Sequence, residues 1–442
     1  MIGRTNAVVG SSGGGGTAGE FMCTVIDYDG TVLKQEFLDA GDTFELPSAP
    51  DRTSEGLVFD GWSSPVDIVN NKVTVEDDDI IIGAMYDTIS GYSELIVEVG
   101  DGAEITLYSK ITGEKDWGDG TVDSLQKHTY TNGGKYVITL KGNFTALDKP
   151  ITDTYTMYVL KEVRVSGSVT TLNSNCFQSL KISKLMISKK VTTLGLQYVF
   201  ASLTNIKAIV LPNSITELTG YCFNCDTSGN KYEYIVIPNS VTKISIYTFY
   251  YTNVKNLVLP KTIVGTISQF SGGYNSCFSK MTYLRKLNIP SFMKQVSLND
   301  LNCLEVLNFA SDIERLSLEN VSLKELTIPD TVQTVNISGL DLTSIVVPSN
   351  VRLYQIRYCY SLCSVVFKGD ISSEGIPAYG FASNYNCLKY DFSHCTRVPT
   401  LANTNAFNNI NSSAKILVPA SLEEEWKAAD NWSTYANKIV GV

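Results

Sequence analysis

The chain has 442 residues and a formal net charge of −10, with 18% charged residues. An acidic chain of this kind is not expected to bind nucleic acid, whose phosphates are recognised by Lys and Arg. The length predicts about three domains, or fewer if one of them is an elongated repeat. Tyr, Thr, Ser, Asn, Val and Ile are abundant, which favours strands over helices.

The chain begins with a polar, glycine-rich stretch over residues 1–20, which contains a single Arg. This stretch lacks the apolar core of a signal peptide, so we expect no export signal there. We also expect no membrane-spanning helix, because no part of the sequence approaches the roughly 18 apolar residues that one requires. Its composition is typical of a flexible linker or anchor.

Residues 21–88 are predicted to form a first small β domain. Asp29-Gly30 is a hairpin signal between the strand-like segments CTVIDY and TVLKQEF. The elements YDGT at 28–31 and FDGW at 59–62 resemble those of the internalin-type B repeat, a β-grasp-like module of bacterial surface proteins. The resemblance implies that Trp62 is a core residue.

Residues 89–148 are predicted to form a second β domain. They contain the motifs DWGDGT at 116–121, HTY at 128–130 and GKYVITL at 134–140. These motifs resemble those of the PKD-type domain, an immunoglobulin-like β-sandwich. The resemblance implies a tight turn at the first motif and a hairpin between the other two.

Two groups of acidic residues lie in these domains. Asp116, Asp119 and Asp123 could bind calcium, but they lack the terminal Glu of an EF-hand loop, so we favour a role in shaping the turn, with no metal or other cofactor. The run Glu76-Asp77-Asp78-Asp79 is interpreted as a solvated strand edge that discourages pairing with other chains.

Residues 149–442 repeat a strand, a turn and a second short apolar stretch about every 19–30 residues, the spacing of a solenoid. Examples are ISKLMISKKVTTL, IKAIVLPNSITEL, YEYIVIPNSVTKI and LKELTIPDTVQTV, and Phe-centred segments such as YVFAS, YCFNC and YTFYY lie between repeats. One unit cannot bury its apolar face alone, so neighbouring units must stack. The pattern resembles the BspA-type leucine-rich repeats.

The predicted fold class is therefore mainly β. Two small β domains, one β-grasp-like and one an immunoglobulin-like sandwich, are followed by a leucine-rich-repeat solenoid with a C-terminal capping helix in SLEEEWKAADNWSTYANKI. Repeats between 290 and 370 are short and lack the Phe segment, so we expect the curvature to change there.

Candidate catalytic and metal-binding residues are few. Cys222 and Cys225 form one C-x-x-C pair, but no second pair follows at zinc spacing, so burial in the core is favoured for these and the other Cys residues. His128 belongs to the sandwich, and His394 adjoins Cys395, although adjacent residues on a strand point to opposite faces. We expect no enzyme activity, with a glycosidase-like pair of carboxylates as the open alternative.

The tyrosines of the repeats are the candidate binding residues, because exposed Tyr is common in binding surfaces and solenoids offer long faces. The alternative is that they fill a wide core. The candidates are Tyr232, Tyr234, Tyr247, Tyr250, Tyr251, Tyr354, Tyr358 and Tyr360.

The N-terminal residues Ile2, Gly3, Arg4, Thr5 and Asn6, followed by the glycine run, resemble the start of phage virion proteins. The resemblance implies a tail or head fibre, or a decoration protein, that assembles in the host cytoplasm and becomes part of the virion. Residues 1–20 would attach it to other virion proteins, the two small domains would act as a spacer, and the repeats would bind a host-surface glycan or protein. A homo-oligomer is expected. The alternative is a bacterial cell-surface adhesin with BspA-type repeats.

Overall fold

The structure, a computed structural model, describes residues 19–151, 158–225, 232–266, 276–309, 313–349 and 351–442. The fold is mainly β, with 37% strand and 5% helix, as the sequence predicts. None of the described helices is long and apolar enough to cross a membrane.

The first domain is a four-stranded sheet with a separate two-stranded ribbon. Its strands are β1 (Phe21–Ile26), β2 (Val32–Leu38), β3 (Thr43–Glu45), β4 (Leu57–Ser63), β5 (Lys72–Thr74) and β6 (Ile80–Thr88). The sheet order is β2-β1-β6-β4, and β3 pairs with β5. The predicted hairpin is confirmed, since β1 pairs antiparallel with β2 and Gly30 takes a φ of 89° in the turn. A 3₁₀ turn spans Thr53–Glu55.

Six of the seven strands of the second domain are divided between two sheets, and the seventh, Ala146–Leu147, pairs with a strand of the solenoid. They are β7 (Ser93–Val99), β8 (Glu104–Thr106), β9 (Lys115–Asp116), β10 (Val122–Asp123), β11 (Lys127–Thr129), β12 (Gly134–Leu140) and β13 (Ala146–Leu147). The predicted hairpin between HTY and GKYVITL is wrong, because β11 pairs with β8 whereas β12 pairs with β7 and β9. The chain passes between the sheets at Tyr130, which is fully buried and donates its hydroxyl to the Trp117 carbonyl at 2.9 Å.

The solenoid is built from short parallel strands. In chain order they are β14 (Tyr158–Val165), β15 (Thr171–Leu172), β16 (Lys184–Ile187), β17 (Thr193–Leu194), β18 (Ala208–Val210), β19 (Glu217–Leu218), β20 (Tyr234–Val236), β21 (Lys243–Ile244), β22 (Gly265–Thr266), β23 (Lys286–Asn288), β24 (Gln295–Leu301), β25 (Val306–Asn308), β26 (Arg315–Val321), β27 (Thr334–Ser338), β28 (Ser344–Val347), β29 (Arg352–Arg357), β30 (Ser364–Phe367), β31 (Lys389–Asp391), β32 (Lys415–Val418) and β33 (Ile439–Gly441).

These strands lie on two sides of the solenoid. The front strands are β14, β16, β18, β20, β23, β25, β28, β30, β31, β32 and β33, and the others are the rear strands. Among the rear strands, β24, β26, β27 and β29 are five to seven residues long and pair side by side, where the earlier rear strands have two residues. The rear side of the solenoid therefore differs in the repeats between 290 and 370, which lack the Phe segment. Longer strands take the place of the loops that follow the short rear strands in the earlier repeats.

The Phe-centred segments form a stacked row in the core. Adjacent rings of this row, which we call the Phe spine, lie 5.5–5.8 Å apart with interplanar angles of 4–19°; its members are Phe177, Phe200, Phe223, Phe249 and Phe278. The loops around such Phe residues form a third side of the solenoid, which we call the turn edge. It comprises residues 175–179, 198–202, 221–225, 247–251 and 379–385, together with the loop at 358–360, which has Cys359 in place of a Phe. A 3₁₀ turn at Ser276–Phe278 carries the last Phe of the spine.

The predicted C-terminal cap is present but divided into short pieces. It consists of 3₁₀ turns at Ala420–Leu422 and Trp432–Lys438 around helix α1 (Glu423–Ala428). Asn431 has a φ of 64°, which interrupts a continuous helix. Trp426 and Trp432 are fully buried 5.4 Å apart and close the end of the core.

The second domain continues directly into the solenoid. Strand β14 pairs antiparallel with β7 of the sandwich and parallel with β16 of the solenoid. One apolar cluster extends from Leu95 to Ile439. The predicted boundary between residues 148 and 149 therefore lies within a continuous core.

The first domain folds back onto the front strands. Ile26, Ile81 and Met85 pack against an apolar patch that includes Val210 and Val236. Gly83 permits this approach, because a Cβ at that position would lie 2.6 Å from a Val210 methyl group. The domain therefore covers part of the solenoid, and its expected role as a spacer stays a prediction.

The acidic run of the first domain belongs to this interface. The Lys261 ammonium lies 2.6 Å from both Glu76 and Asp77, and Lys286 lies 2.8 Å from Asp78. The prediction of a solvated edge therefore fails for Asp78 and Asp79, which lie half-buried beside the solenoid, whereas Glu76 and Asp77 are exposed to solvent next to Lys261. Burial raises the pKa of Asp79, the innermost member, against the opposing effect of Lys286.

Trp62 also lies at the interface rather than in the centre of the first domain. It is half-buried and packs beside two apolar clusters, one of which includes Met186 of the solenoid. Its carbonyl accepts a hydrogen bond of 2.9 Å from Asn213. The expectation of a core residue is therefore met only in part, because the side chain is half-buried.

Candidate functional site

Three of the eight candidate tyrosines do not provide a described exposed surface. Tyr232 is only 2% exposed and donates its hydroxyl to the Phe200 carbonyl at 2.7 Å, so its assignment to a surface is wrong. Tyr234 packs into the apolar interface beneath the first domain, which covers that part of the front strands. The side chain of Tyr354 lies outside the described residues. The alternation of side chains along a β-strand predicts the face on which Tyr232 and Tyr234 lie. It does not show that another domain covers part of the front strands.

Three further candidates lie in a half-buried row on the turn edge. We call the row the upstream ladder; it comprises Tyr198, Tyr221, Tyr247, Tyr250 and Tyr251. The rings of Tyr198, Tyr221 and Tyr247 stack in sequence, 5.0 and 4.9 Å apart. Tyr250 packs edge-on against Tyr247 at 5.4 Å. Most ring faces in this ladder are therefore covered by other rings.

The upstream ladder ends at a cation. Lys280 donates to the Tyr251 hydroxyl at 3.0 Å, and its ammonium lies 4.9 Å from the centre of that ring. This hydrogen bond raises the pKa of Lys280. The contact fixes the last tyrosine of the ladder to the next coil.

The remaining candidates belong to an exposed group near the C-terminal end of the turn edge. We call it the downstream group: Tyr358, Tyr360, Tyr379 and Tyr385 are 42%, 56%, 44% and 49% exposed. The backbone N–H of Tyr358 donates to the Ala382 carbonyl, which brings the loops of Tyr358 and Tyr379 together. The rings of Tyr360 and Tyr385 lie parallel, 5.9 Å apart.

Asparagine side chains hold the backbone of this group in register. Asn386 donates to the Tyr360 carbonyl at 2.7 Å, and Asn411 donates to the Tyr385 carbonyl at 2.9 Å. Each amide thus fixes the tyrosine one coil earlier. The two rings are therefore displayed at matching positions of successive coils.

Sequence reasoning missed four of these tyrosines, namely Tyr198, Tyr221, Tyr379 and Tyr385. A signal for three of them was available, since Tyr198, Tyr221 and Tyr379 each stand two residues before a core Phe, in the segments YVF, YCF and YGF. Tyr247 in YTF shares this register. The spacing to Phe therefore separates turn-edge tyrosines from strand tyrosines.

Six turn-edge tyrosines have left-handed backbone conformation, with φ between 52° and 62°; they are Tyr198, Tyr221, Tyr247, Tyr251, Tyr358 and Tyr379. This conformation costs roughly 1–2 kcal/mol for a residue with a Cβ and is tolerated best by Gly, Asn and Asp. Other turns of the same edge use Asn175 and Ser202 at such positions. The backbone alone therefore does not account for Tyr.

The acidic residues of the sandwich motif are engaged with protein donors. Asp119 accepts from the Thr121 N–H at 3.0 Å and lies 2.8 Å from His128 Nε2. Asp123 accepts from the Trp117 indole at 3.0 Å. Asp116 accepts from the Gly118 N–H at 3.1 Å. These contacts show the predicted turn-shaping role. In the described ranges, no three His, Cys, Asp or Glu residues are grouped to hold a metal ion.

The C-x-x-C pair is in the core. Cys222 and Cys225 are both buried, and burial raises the pKa of Cys222 to about 12. A protonated thiol is a poor nucleophile and a poor zinc ligand. The residues therefore act as small apolar core residues, as the sequence favours.

His394 and Cys395 point in different directions. His394 is exposed, whereas Cys395 is buried and donates to the Gly369 carbonyl at 3.3 Å. Burial raises the pKa of Cys395 to about 12. The two side chains do not form a catalytic pair.

Two open surface grooves lie away from the turn edge. The larger, about 540 Å³, is on the sandwich between the chain segments 106–109 and 125–127. The smaller, about 330 Å³, lies beside Trp62 at the interface of the first domain. The described residues that line these grooves include no Asp, Glu, His or Cys. Ile2, Gly3, Arg4, Thr5 and Asn6, the expected anchor, lie outside the described residues.

Three solved structures are similar to this chain at low sequence identity. The pneumococcal vaccine antigen PcpA is 13% identical, with 67% of this chain and 81% of that chain covered and a TM-score of 0.40. A leucine-rich repeat protein from Bacteroides ovatus is 15% identical, with coverage of 71% and 91% and a TM-score of 0.40. A leucine rich cell surface protein from Faecalibacterium prausnitzii is 14% identical, with coverage of 73% and 94% and a TM-score of 0.30.

No curated protein matches the sequence. The model of the BspA type leucine rich repeat region does match, in six copies, over residues 153–230, 227–338 and 311–427. These ranges contain the stacked coils, the Phe spine and the turn edge described above. The chain therefore belongs to the family of BspA-type leucine-rich-repeat proteins.

Proposed function

We propose that this protein is a bacterial cell-surface adhesin that binds its partner through the tyrosines of the turn edge. Of the two roles expected from the sequence, the family membership favours the adhesin, because the BspA-type repeats are a cell-surface module. The virion role depends on residues 2–6 and has no support from the family match. It stays a prediction.

The main support for this proposal is that two exposed tyrosines have left-handed backbone conformation. Tyr358 and Tyr379 have φ values of 55° and 60° and are 42% and 44% exposed. They therefore carry a conformational cost without the compensation of full burial. Local strain of this kind is typical of functional sites.

The chemistry of the side chain fits this role. A Tyr ring offers a large, rigid contact area, and its hydroxyl offers a hydrogen bond, at a low cost in side-chain entropy. The solenoid repeats the ring at successive coils, as the parallel pair of Tyr360 and Tyr385 illustrates. Many copies on one cell would then convert weak contacts into firm attachment.

We further propose that the protein binds without catalysis. One buried pair of carboxylates, Glu94 and Glu162, is paired with the buried guanidinium of Arg164. Arg164 Nε lies 2.6 Å from Glu162 and Nη1 lies 3.0 Å from Glu94. These groups join the sandwich to the first solenoid coil and have a structural role.

The proposal is tested by immunogold electron microscopy on cultures that express the full chain, with an antibody against the repeats. Gold particles along the envelope of intact cells are the expected result. Gold confined to phage particles would overturn the adhesin in favour of the virion role. A second culture, producing a chain without residues 1–20, identifies which of the two locations depends on that segment.

A further inference from the structure

We propose that the downstream group binds a neutral oligosaccharide, with Tyr360, Tyr379 and Tyr385 as the contact rings and the asparagines of the adjacent loop as hydrogen-bonding partners. The inference rests on the proposed function of the turn edge as a binding surface. It specifies the class of ligand and the part of the edge that binds it.

The rings of the turn edge differ in how accessible they are to a ligand. In the upstream ladder, rings stack on each other 4.9–5.0 Å apart, so their faces are used within the protein. In the downstream group, no other aromatic ring of the described chain packs on Tyr379, and Tyr360 and Tyr385 are about half exposed. The downstream group is therefore the part of the edge that offers aromatic surface to a ligand.

A loop rich in asparagine lies beside these rings and offers hydrogen-bonding groups. The loop at 398–414, VPTLANTNAFNNINSSA, contains Asn403, Asn405, Asn408, Asn409 and Asn411. The Asn405 amide lies 3.4 Å from the Tyr379 hydroxyl, which places this loop beside the rings. Asn405, Asn408 and Asn409 are exposed.

This combination matches the chemistry of a sugar. The C–H groups of a pyranose ring form an apolar face that packs on an aromatic ring, whose π face is electron-rich. Its hydroxyls both donate and accept, and an Asn amide offers two donors and one acceptor oxygen. Aromatic rings beside amides can therefore contact the apolar face of a sugar ring and also form hydrogen bonds with its hydroxyls.

The charge of the surface around the rings limits the class of ligand. The segments 375–388 and 398–414 contain no Asp, Glu, Lys or Arg. Sulfate, phosphate and carboxylate groups are recognised by Arg and Lys, which these segments lack. The guanidinium of Arg357 lies 5.2 Å from the centre of the Tyr358 ring, and because of this charged neighbour Tyr358 is left out of the proposed contact set for a neutral ligand. The Lys438 ammonium reaches the second segment, but it donates to the Asn411 and Ser412 carbonyls at 3.3 and 2.5 Å. The surface beside the rings therefore fits an uncharged ligand.

The test uses the full chain on a printed array of neutral oligosaccharides, each beside its sialylated and sulfated forms. Three proteins are compared: the unmodified chain, Tyr379→Ala with Tyr385→Ala, and the control Tyr92→Ala with Tyr108→Ala, which removes two exposed tyrosines of the sandwich. Thermal unfolding verifies that all three are folded. We expect binding to neutral members, loss of at least tenfold in the downstream variant, and no loss in the control.

Several results would overturn the assignment: binding only to sialylated or sulfated forms, no binding on the array, or equal loss in both variants. Capture of chain-coated beads by cells separates this inference from the proposed function. Periodate oxidises surface glycans, and protease removes surface proteins. If cells still capture the beads after periodate treatment but not after protease treatment, the ligand is a protein and not a glycan, and the proposed adhesin function is retained. If no cell surface captures the beads, the proposed adhesin function itself is contradicted.

Discussion

The Tyr28 hydroxyl donates a hydrogen bond of 3.0 Å to the Glu162 carboxylate, and this contact joins the first domain to the first strand of the solenoid. Both residues are buried, and the same carboxylate oxygen accepts from Arg164 at 2.6 Å. The first domain is therefore attached by a buried polar contact as well as by its apolar patch. The arrangement orients the domain, because the hydrogen bond can form in only one docked position.

Replacing Tyr28 by Phe tests this contact. We expect Tyr28→Phe to lower the free energy of unfolding by about 1–3 kcal/mol, because a charged buried acceptor loses one donor. Urea unfolding followed by tryptophan fluorescence measures the change. Tyr92→Phe, at an exposed site, is the control and should stay within about 0.5 kcal/mol of the unmodified chain. Equal effects in the two variants would contradict the role of this hydrogen bond.

Gly83 controls the apolar part of the docking. A Cβ there would lie 2.6 and 2.7 Å from the two methyl groups of Val210. We expect Gly83→Ala to weaken docking by about 1–3 kcal/mol, because the interface has no space for it. Small-angle X-ray scattering should show a larger radius of gyration as the domain separates. Adding Val210→Ala should restore the compact form, and failure of this rescue would show that the clash is not the cause.

The Phe spine should dominate the stability of the upstream coils. Phe223 is fully buried, with the rings of Phe200 and Phe249 each 5.5 Å away. Phe223→Ala should cost about 3–5 kcal/mol, because it leaves a cavity between two stacked rings. Phe37→Ala, at a position 56% exposed, is the matched control for chemical unfolding. A similar loss at both positions would mean that stacking contributes little.

The sandwich motif predicts a pH dependence. The indole N–H of Trp117 holds the pKa of Asp123 below its ordinary value of 3.8. A depressed folded-state pKa gives stability that is present above the ordinary value and is lost as the pH falls through the folded value. Asp123→Asn should therefore lose less stability than the unmodified chain between about pH 5 and about pH 2. Parallel pH profiles in urea unfolding would contradict this assignment.

Tyr379 is expected to lower the free energy of unfolding while it contributes to binding. Its φ of 60° is better tolerated by Asn, so Tyr379→Asn should raise the free energy of unfolding by about 0.5–1 kcal/mol. The same variant should bind less well, because the exposed ring is removed. Thermal unfolding gives the first quantity. A clear loss of stability would show that the Tyr ring is needed for packing rather than for binding.

The architecture of the repeats could be predicted because it depends on local periodicity. Segments such as IKAIVLPNSITEL place Ile209 and Leu211 in the core by strand alternation, and the structure buries both. The C-terminal cap and the core position of the Phe-centred segments could also be predicted from local sequence patterns. The family match over 153–427 confirms this part of the interpretation.

The position of the first domain could not be predicted in this way. Val210 and Val236 are outward-facing strand residues, and nothing in their spacing shows that Ile81 of another domain covers them. Tyr234 was placed on the surface for the same reason. Contacts between distant segments are set by shape and charge complementarity in three dimensions, which a single sequence does not display.

The most direct test of the account is the capture of beads coated with the full chain on a panel of bacterial cells, epithelial monolayers and mucin. The unmodified chain is compared with the variant that carries Tyr360→Ala, Tyr379→Ala and Tyr385→Ala and with the Tyr92→Ala and Tyr108→Ala control. The account predicts capture on at least one surface, a loss of at least tenfold in the triple variant and retention in the control. Capture that survives the triple variant, or no capture on any surface, would contradict it.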